Sequence, residues 1–239
     1  MIKKPMLTPK VSEKTLAERA LRLLREDILA TRLAPDMRLR IAELQKRYQL
    51  GISPIREALL RLVSEGFVVA QGQRGFAVAS VSIEELHDLT RARVRLEAIM
   101  VTEAIELGDA QWEAGIVAAF HMLSRAPLPA SSQDLEAALH WQTCHRGFHH
   151  ALLAGCGSLW MQRLQIQMAE HAERYRRIRM FHSVANDQLV QSINNEHELL
   201  MQAMLRRDTG KAVALVQSHL NNTANAVAGF YKPAVNVVV

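Results

Sequence analysis

His145 and His149 stand four residues apart in a stretch of helical periodicity, so their imidazoles leave one helix face about a turn apart. That spacing suits two nitrogen ligands on one metal ion. It suits equally well two partly buried histidines satisfied by hydrogen bonds, and the spacing alone leaves both readings open. His197 and His219 fall on the last two helical stretches, which a bundle can bring to the same face. No His-Glu-x-x-His run is present, and the residue after His145 is Arg146 rather than a carboxylate base. A metallohydrolase therefore lacks its general base, and the chain reads as no enzyme.

A second cluster of chemistry lies between Gly51 and Phe67. Ser53 is expected to cap a helix there, with Pro54 at the first helical position, where its missing N–H costs nothing. Ile55, Leu59 and Leu62 then share a face that must be buried, while Ser53, Arg56 and Glu57 face solvent. Gly66 is placed to stop the helix. A short amphipathic helix that shows a cation and polar groups at its N-terminal end has the form of a major-groove reader.

The elements around that helix supply its setting. Ala17, Leu21, Leu24 and Ile28 recur at helical spacing and predict a helix over about 13–30, broken by Leu33-Ala34-Pro35-Asp36. A second short helix is expected from Ile41 to Tyr48, burying Ile41 and Leu44, with only Gln49-Leu50-Gly51 before the next. That makes a helix-turn-helix. Phe67-Val68-Val69-Ala70 and Phe76-Ala77-Val78-Ala79 flank Gln71-Gly72-Gln73-Arg74-Gly75 and predict a β-hairpin wing with Arg74 at its tip.

Charge agrees with this placement. Residues 1–80 hold fifteen Lys/Arg against eight Asp/Glu, a net +7, and the remainder carries −2. A basic module on a near-neutral body calls for a polyanion such as double-stranded DNA.

Ser82-x-x-Glu85 predicts a capping box that opens a new helix. Beyond it the chain is helical throughout: about 82–107, 109–125, 133–154, 158–181, 186–206 and 211–229. The fold class is mainly α, an N-terminal winged helix-turn-helix over 13–80 and a six-or-seven-helix bundle over 82–232. A disordered arm over 1–12 and a tail over 233–239 flank them. Cys144 and Cys156 have no spacing for a disulfide framework or a thiolate zinc site. No apolar run is long enough to span a membrane and no export signal is present, so the expected location is the cytoplasm.

The run from Leu33-Ala34-Pro35 through Leu39, Leu44 and Ser53-Pro54-Ile55-Arg56-Glu57-Ala58-Leu59 to Arg74-Gly75-Phe76-Ala77-Val78 resembles the GntR family of bacterial transcription regulators. The resemblance implies a homodimer that binds a palindromic operator, a repressor in the first instance. The DNA-facing set is then Arg40, Ser53, Pro54, Arg56, Arg61, Gln73, Arg74 and Gly75. Most members carry a polar residue and an arginine just before the Ser/Thr-Pro. This chain has Gly51 and Ile52 there, so those base contacts do not carry over.

The stretches Arg93-Val94-Arg95-Leu96-Glu97, His145-Arg146-Gly147-Phe148-His149, Glu196-His197 and His219-Leu220 resemble the FCD effector domain of the FadR-type subfamily. That resemblance implies a divalent metal held by His149, His197 and His219, with His145 at a position where relatives place an aspartate. An all-imidazole set favours Zn²⁺ or Ni²⁺ over Mn²⁺ or Mg²⁺. It also implies a small carboxylate effector, with Arg93 as its arginine; a structural ion pair is the alternative role for Arg93. Ala154-Gly155-Cys156-Gly157-Ser158 and Glu173-Arg174-Tyr175-Arg176 are similar to the carbon-starvation-induced regulator type (CsiR-like), which implies a glutarate-like acid. A regulator in which the metal itself is the signal is the alternative.

Overall fold

The structure, a computed structural model, describes residues 15–129, 134–180 and 187–229. Both flanking segments expected to lack structure, 1–12 and 233–239, lie outside those residues. The chain divides after Ser80 into two compact units.

In the first unit, α1 (Leu16–Leu29) starts at a capping box: the Thr15 hydroxyl accepts from Glu18 N–H, and the Glu18 carboxylate accepts from Thr15 N–H. The helix α2 (Ile41–Tyr48) ends where Gln49 turns left-handed at φ 55°, and it buries Leu44 and Tyr48 while Ile41 is half-buried. The helix α3 (Ile52–Ser64) begins two residues earlier than expected. Its N-cap is Gly51, with no side-chain cap, so Ser53 and Pro54 are the second and third helical residues. Proline is tolerated there because the first four amides of a helix have no intrahelical acceptor in any case.

The end of α3 is a Schellman turn around Gly66, whose φ of 80° favours glycine. Gly66 N–H donates to Val63 C=O at 3.1 Å and Phe67 N–H to Leu62 C=O at 2.9 Å. Phe67 then enters the core with Leu24, Leu33, Ile55, Leu59 and Leu62. The wing strands are β2 (Val68–Ala70) and β3 (Phe76–Val78), joined through a 3-10 turn at Gly72–Arg74. A third strand that periodicity did not predict, β1 (Arg38–Leu39), pairs antiparallel with β3, Leu39 opposite Phe76, giving the order β1-β3-β2.

One buried acid ties this unit together. Asp27 accepts from Arg32 Nε at 2.5 Å, Arg47 Nε at 2.7 Å and the Tyr48 hydroxyl at 2.8 Å, joining the end of α1 to the end of α2.

The second unit is helical in all its described elements: α4 (Ile83–Leu107), α5 (Ala110–Arg125), α6 (Leu135–Leu153), α7 (Leu159–Met180), α8 (Asp187–Leu205) and α9 (Thr209–Ala228). Its core gathers Met100, Ile116, Leu123, Phe148, Leu152, Leu200 and Met204. Gly108 ends α4 where a Cβ would lie 2.2 Å from the Trp112 ring, so the turn needs glycine. The expected capping box at Ser82 is only half formed. The Ser82 hydroxyl accepts from Glu85 N–H at 3.0 Å, but the Glu85 carboxylate accepts instead from the Tyr175 hydroxyl on α7. That same hydroxyl accepts from Ser82 N–H at 3.4 Å. No described helix is long and apolar enough to cross a membrane.

Candidate metal centre and DNA-facing helix

Three helices build the histidine cluster. His145 and His149 project from α6, His197 from α8 and His219 from α9, and all four are buried. One ring nitrogen from each lies within 4.8 Å of the others, a spread that one ion with nitrogen bonds of about 2.0–2.1 Å can gather. Trp141 stacks on His145 with ring centroids 4.7 Å apart and fixes its plane.

The hydrogen bonds of the cluster decide what its nitrogens can do. His197 Nδ1–H donates to the Ile193 carbonyl at 2.6 Å, and His219 Nδ1–H donates to Glu196 at 3.0 Å. His145 Nδ1, His149 Nε2 and His197 Nε2 are buried with no hydrogen-bond partner. Buried polar atoms ordinarily find partners, so three orphaned nitrogens pointing into one cluster fit a cation. Burial, reinforced by the neighbouring imidazoles, holds His145 and His149 well below the usual histidine range and pushes His197 down to about 3. These rings are therefore neutral at neutral pH, the form that binds metal.

Beside the cluster lies a cavity of roughly 400 Å³, lined by Arg93, His145, Arg146, His149, Gln165 and Arg176 among others. Arg93, Arg176, His145 and His149 also line a second, water-sized space that reaches His219. Arg93 is buried and committed to Glu97, its Nε at 3.0 Å and Nη2 at 2.8 Å from the same oxygen, which also accepts from Gln165. Arg177 bonds Glu173 at 2.8 Å, and Arg146 is 3.6 Å from that carboxylate. Arg176 differs: its Nε is buried without a partner, and burial pushes its pKa down to about 10, leaving it charged. The sequence reading did not single out Arg176 as a site residue, nor Glu97, Glu173 and Glu196 as carboxylates supporting the site.

His87, His121, His140 and His150 are exposed and His171 is half-buried; His150 also lines the larger cavity. His182 lies outside the described residues.

On the first unit, Ser53 and Arg56 are exposed on the outer face of α3, and Pro54 is half-buried. Arg61 is held by Glu57 at 2.6 Å and Arg40 by Glu43 at 3.0 Å, both exposed pairs. Arg74 is exposed at the wing, and its carbonyl accepts from Arg38 at 3.0 Å. Gly75 follows at φ 86°, a left-handed position that favours glycine. The Gln73 side chain lies outside the description.

Residues 16–78 match the family of bacterial regulatory proteins, gntR family, and residues 88–222 match the FCD domain. The chain is 38% identical over 199 residues to the HTH-type transcriptional repressor GlaR of Escherichia coli (strain K12), covering 83% of this chain and 90% of that protein. It is 32% identical over 222 residues to the uncharacterized HTH-type transcriptional regulator BphR of Paraburkholderia xenovorans (strain LB400), covering 93% and 89%. Among solved structures, E. coli McbR/YncC superimposes with a TM-score of 0.75 at 20% identity over 92% of this chain and all of that one. A putative GntR regulator from Rhodococcus sp. RHA1 follows at 0.69 and 18%, covering 90% and 99%. At those identities the solved structures speak to the fold alone.

Proposed function

Because the chain belongs to the gntR family of bacterial transcription regulators and joins its DNA-binding domain to an FCD domain, we propose that it is a cytoplasmic repressor that responds to a small carboxylate bound at a metal centre. It reads a palindromic operator as a homodimer, since one small winged helix offers few base contacts and two half-sites add. The repressor assignment is supported by the 38% identity to a protein named as one.

The observation that carries the effector reading is the juxtaposition of four buried imidazoles, three with orphaned nitrogens, and a cavity whose lining includes three arginines. His145, His149, His197 and His219 hold a divalent metal, with Zn²⁺ or Ni²⁺ favoured by the all-nitrogen set. Bound there, the ion supplies a Lewis-acidic centre for carboxylate oxygens. None of the four ligands is anionic, so the charge of the centre calls for an anion from outside, and a dianion such as a glutarate-like acid answers it best. Arg176 meets the second carboxylate. Arg93, neutralised by Glu97, holds the cavity wall and positions Glu97 against Gln165.

Elemental analysis of the purified chain, followed by operator-binding titrations of metal and of C4–C6 dicarboxylates separately, tests this. Stoichiometric metal, needed but not itself the signal, together with a carboxylate that changes operator affinity, is expected. An operator response to metal alone points to a metal sensor and overturns the proposal.

A further inference from the structure

Resting on the placement of α3 as the recognition helix, we infer that Ile52 reads the 5-methyl group of a thymine in the major groove of the operator. Ile52 is the first residue of α3 and is 54% exposed, whereas Ile55, Leu59 and Leu62 on the same helix are fully buried. The core therefore makes little use of this large apolar side chain. It stands at the N-terminal end of the helix, the end whose side chains reach base edges in a helix-turn-helix. Gly51 caps the helix without a side chain, so no capping side chain stands in front of Ile52.

The chemistry of Ile52 limits what it can recognise. It has no donor or acceptor, so against guanine, adenine or cytosine edges it would strip water from polar atoms and return no hydrogen bond. Thymine alone presents a methyl group in the major groove. The β-branched side chain is stiff at χ1, so little rotamer freedom is lost when it is held in contact. Arg56, one turn further along the same side and exposed, can bond guanine O6 and N7 in a bidentate pair. Ile52 and Arg56 together specify a thymine close to a guanine in each half-site. Leu60 is also 54% exposed, but it lies two turns beyond Ile52, away from the reading end, and serves as an internal control.

The test uses the full chain. Sites are selected from a random double-stranded pool, and the consensus is synthesised with thymine or deoxyuridine at each position. Deoxyuridine lacks only the methyl group and leaves the protein untouched. At one thymine per half-site, replacement is expected to weaken wild-type binding about fourfold for each half-site replaced, the equivalent of one buried methyl group. Ile52→Ala should bind the two DNAs equally, while Leu60→Ala keeps the wild-type ratio. A wild-type protein indifferent to deoxyuridine at every position overturns the inference, as does an Ile52→Ala variant that keeps the full discrimination; both leave the recognition helix in place. If Arg56→Ala binds the selected site as tightly as wild type, the placement of α3 fails and the inference with it.

Discussion

The Nδ1–H of His219 on α9 donates to the Glu196 carboxylate on α8 at 3.0 Å, next in the chain to His197, whose own Nδ1–H is taken by the Ile193 carbonyl. One helix thereby sets the tautomer of two imidazoles and leaves Nε2 of each as the nitrogen that would ligate a metal. Removing the carboxylate's charge should cost the centre without dismantling it. Glu196→Gln is expected to lower metal affinity roughly 10–100-fold, and His197→Ala to abolish stoichiometric metal, both read by elemental analysis against a chelator series. A His197→Ala protein that still carries one ion per chain would refute the ligand set.

Acid should destabilise the metal-free protein through the same rings. His197 sits at about 3 when folded, and His145 and His149 are also held well below the usual value near 6.5. Below that value the unfolded chain binds protons that the folded chain refuses. Stability is therefore full above about pH 6.5 and falls as pH drops toward 3, by about 1.4 kcal/mol per pH unit for each such histidine. Melting temperatures of the apo protein should be flat from pH 7 to 8 and decline below 6.5. A flat profile down to pH 4.5 would contradict the burial of neutral rings.

Arg56 is exposed on the outer face of α3. Arg56→Ala should lose about 1–3 kcal/mol of operator binding while binding to random DNA changes far less. Equal losses on both would make it a phosphate contact.

Gly66 holds the end of α3 at a φ of 80°. Gly66→Ala is expected to destabilise the first unit by about 1–2 kcal/mol, seen as a lower denaturant midpoint with an unchanged slope. No shift would mean that the Schellman turn relaxes at no cost.

Arg176 is the cation of the larger cavity whose Nε lacks a partner. Arg176→Gln should keep the metal and operator binding yet lose the carboxylate response in the operator assay. Retention of a full response would move the effector's second carboxylate elsewhere.

Much of this architecture was legible from spacing. The helix over Ile41–Tyr48, the Gly66 stop and the hairpin around Gly72–Arg74 each rest on local rules that the fold does not override. The start of α3 was misread because Ser53-Pro54 carries two strong capping signals, while Gly51 carries only the absence of a side chain. The strand β1 was missed because two residues with one buried position have no period. The buried acids were out of reach for another reason: Asp27 finds Arg47 twenty residues away, and Glu97 finds Gln165 across sixty-eight, so their burial is a property of packing. The histidine cluster was half legible, since its i,i+4 pair is local. Arg176 stood only inside a stretch of family likeness and drew no role, because nothing in its spacing says that its neighbours Arg93, Arg146 and Arg177 spend their charge on Glu97 and Glu173.

The Tyr175 hydroxyl holds both Ser82 N–H and the Glu85 carboxylate at the start of α4, two residues after the chain leaves the first unit, and Arg176 is its immediate neighbour. Any shift of α7 that draws Arg176 onto an anion must either drag the first turn of α4 along or forfeit two hydrogen bonds, about 1 kcal/mol each. The first turn of α4, where the second unit begins, is thus tethered through one phenol to the helix that carries Arg176.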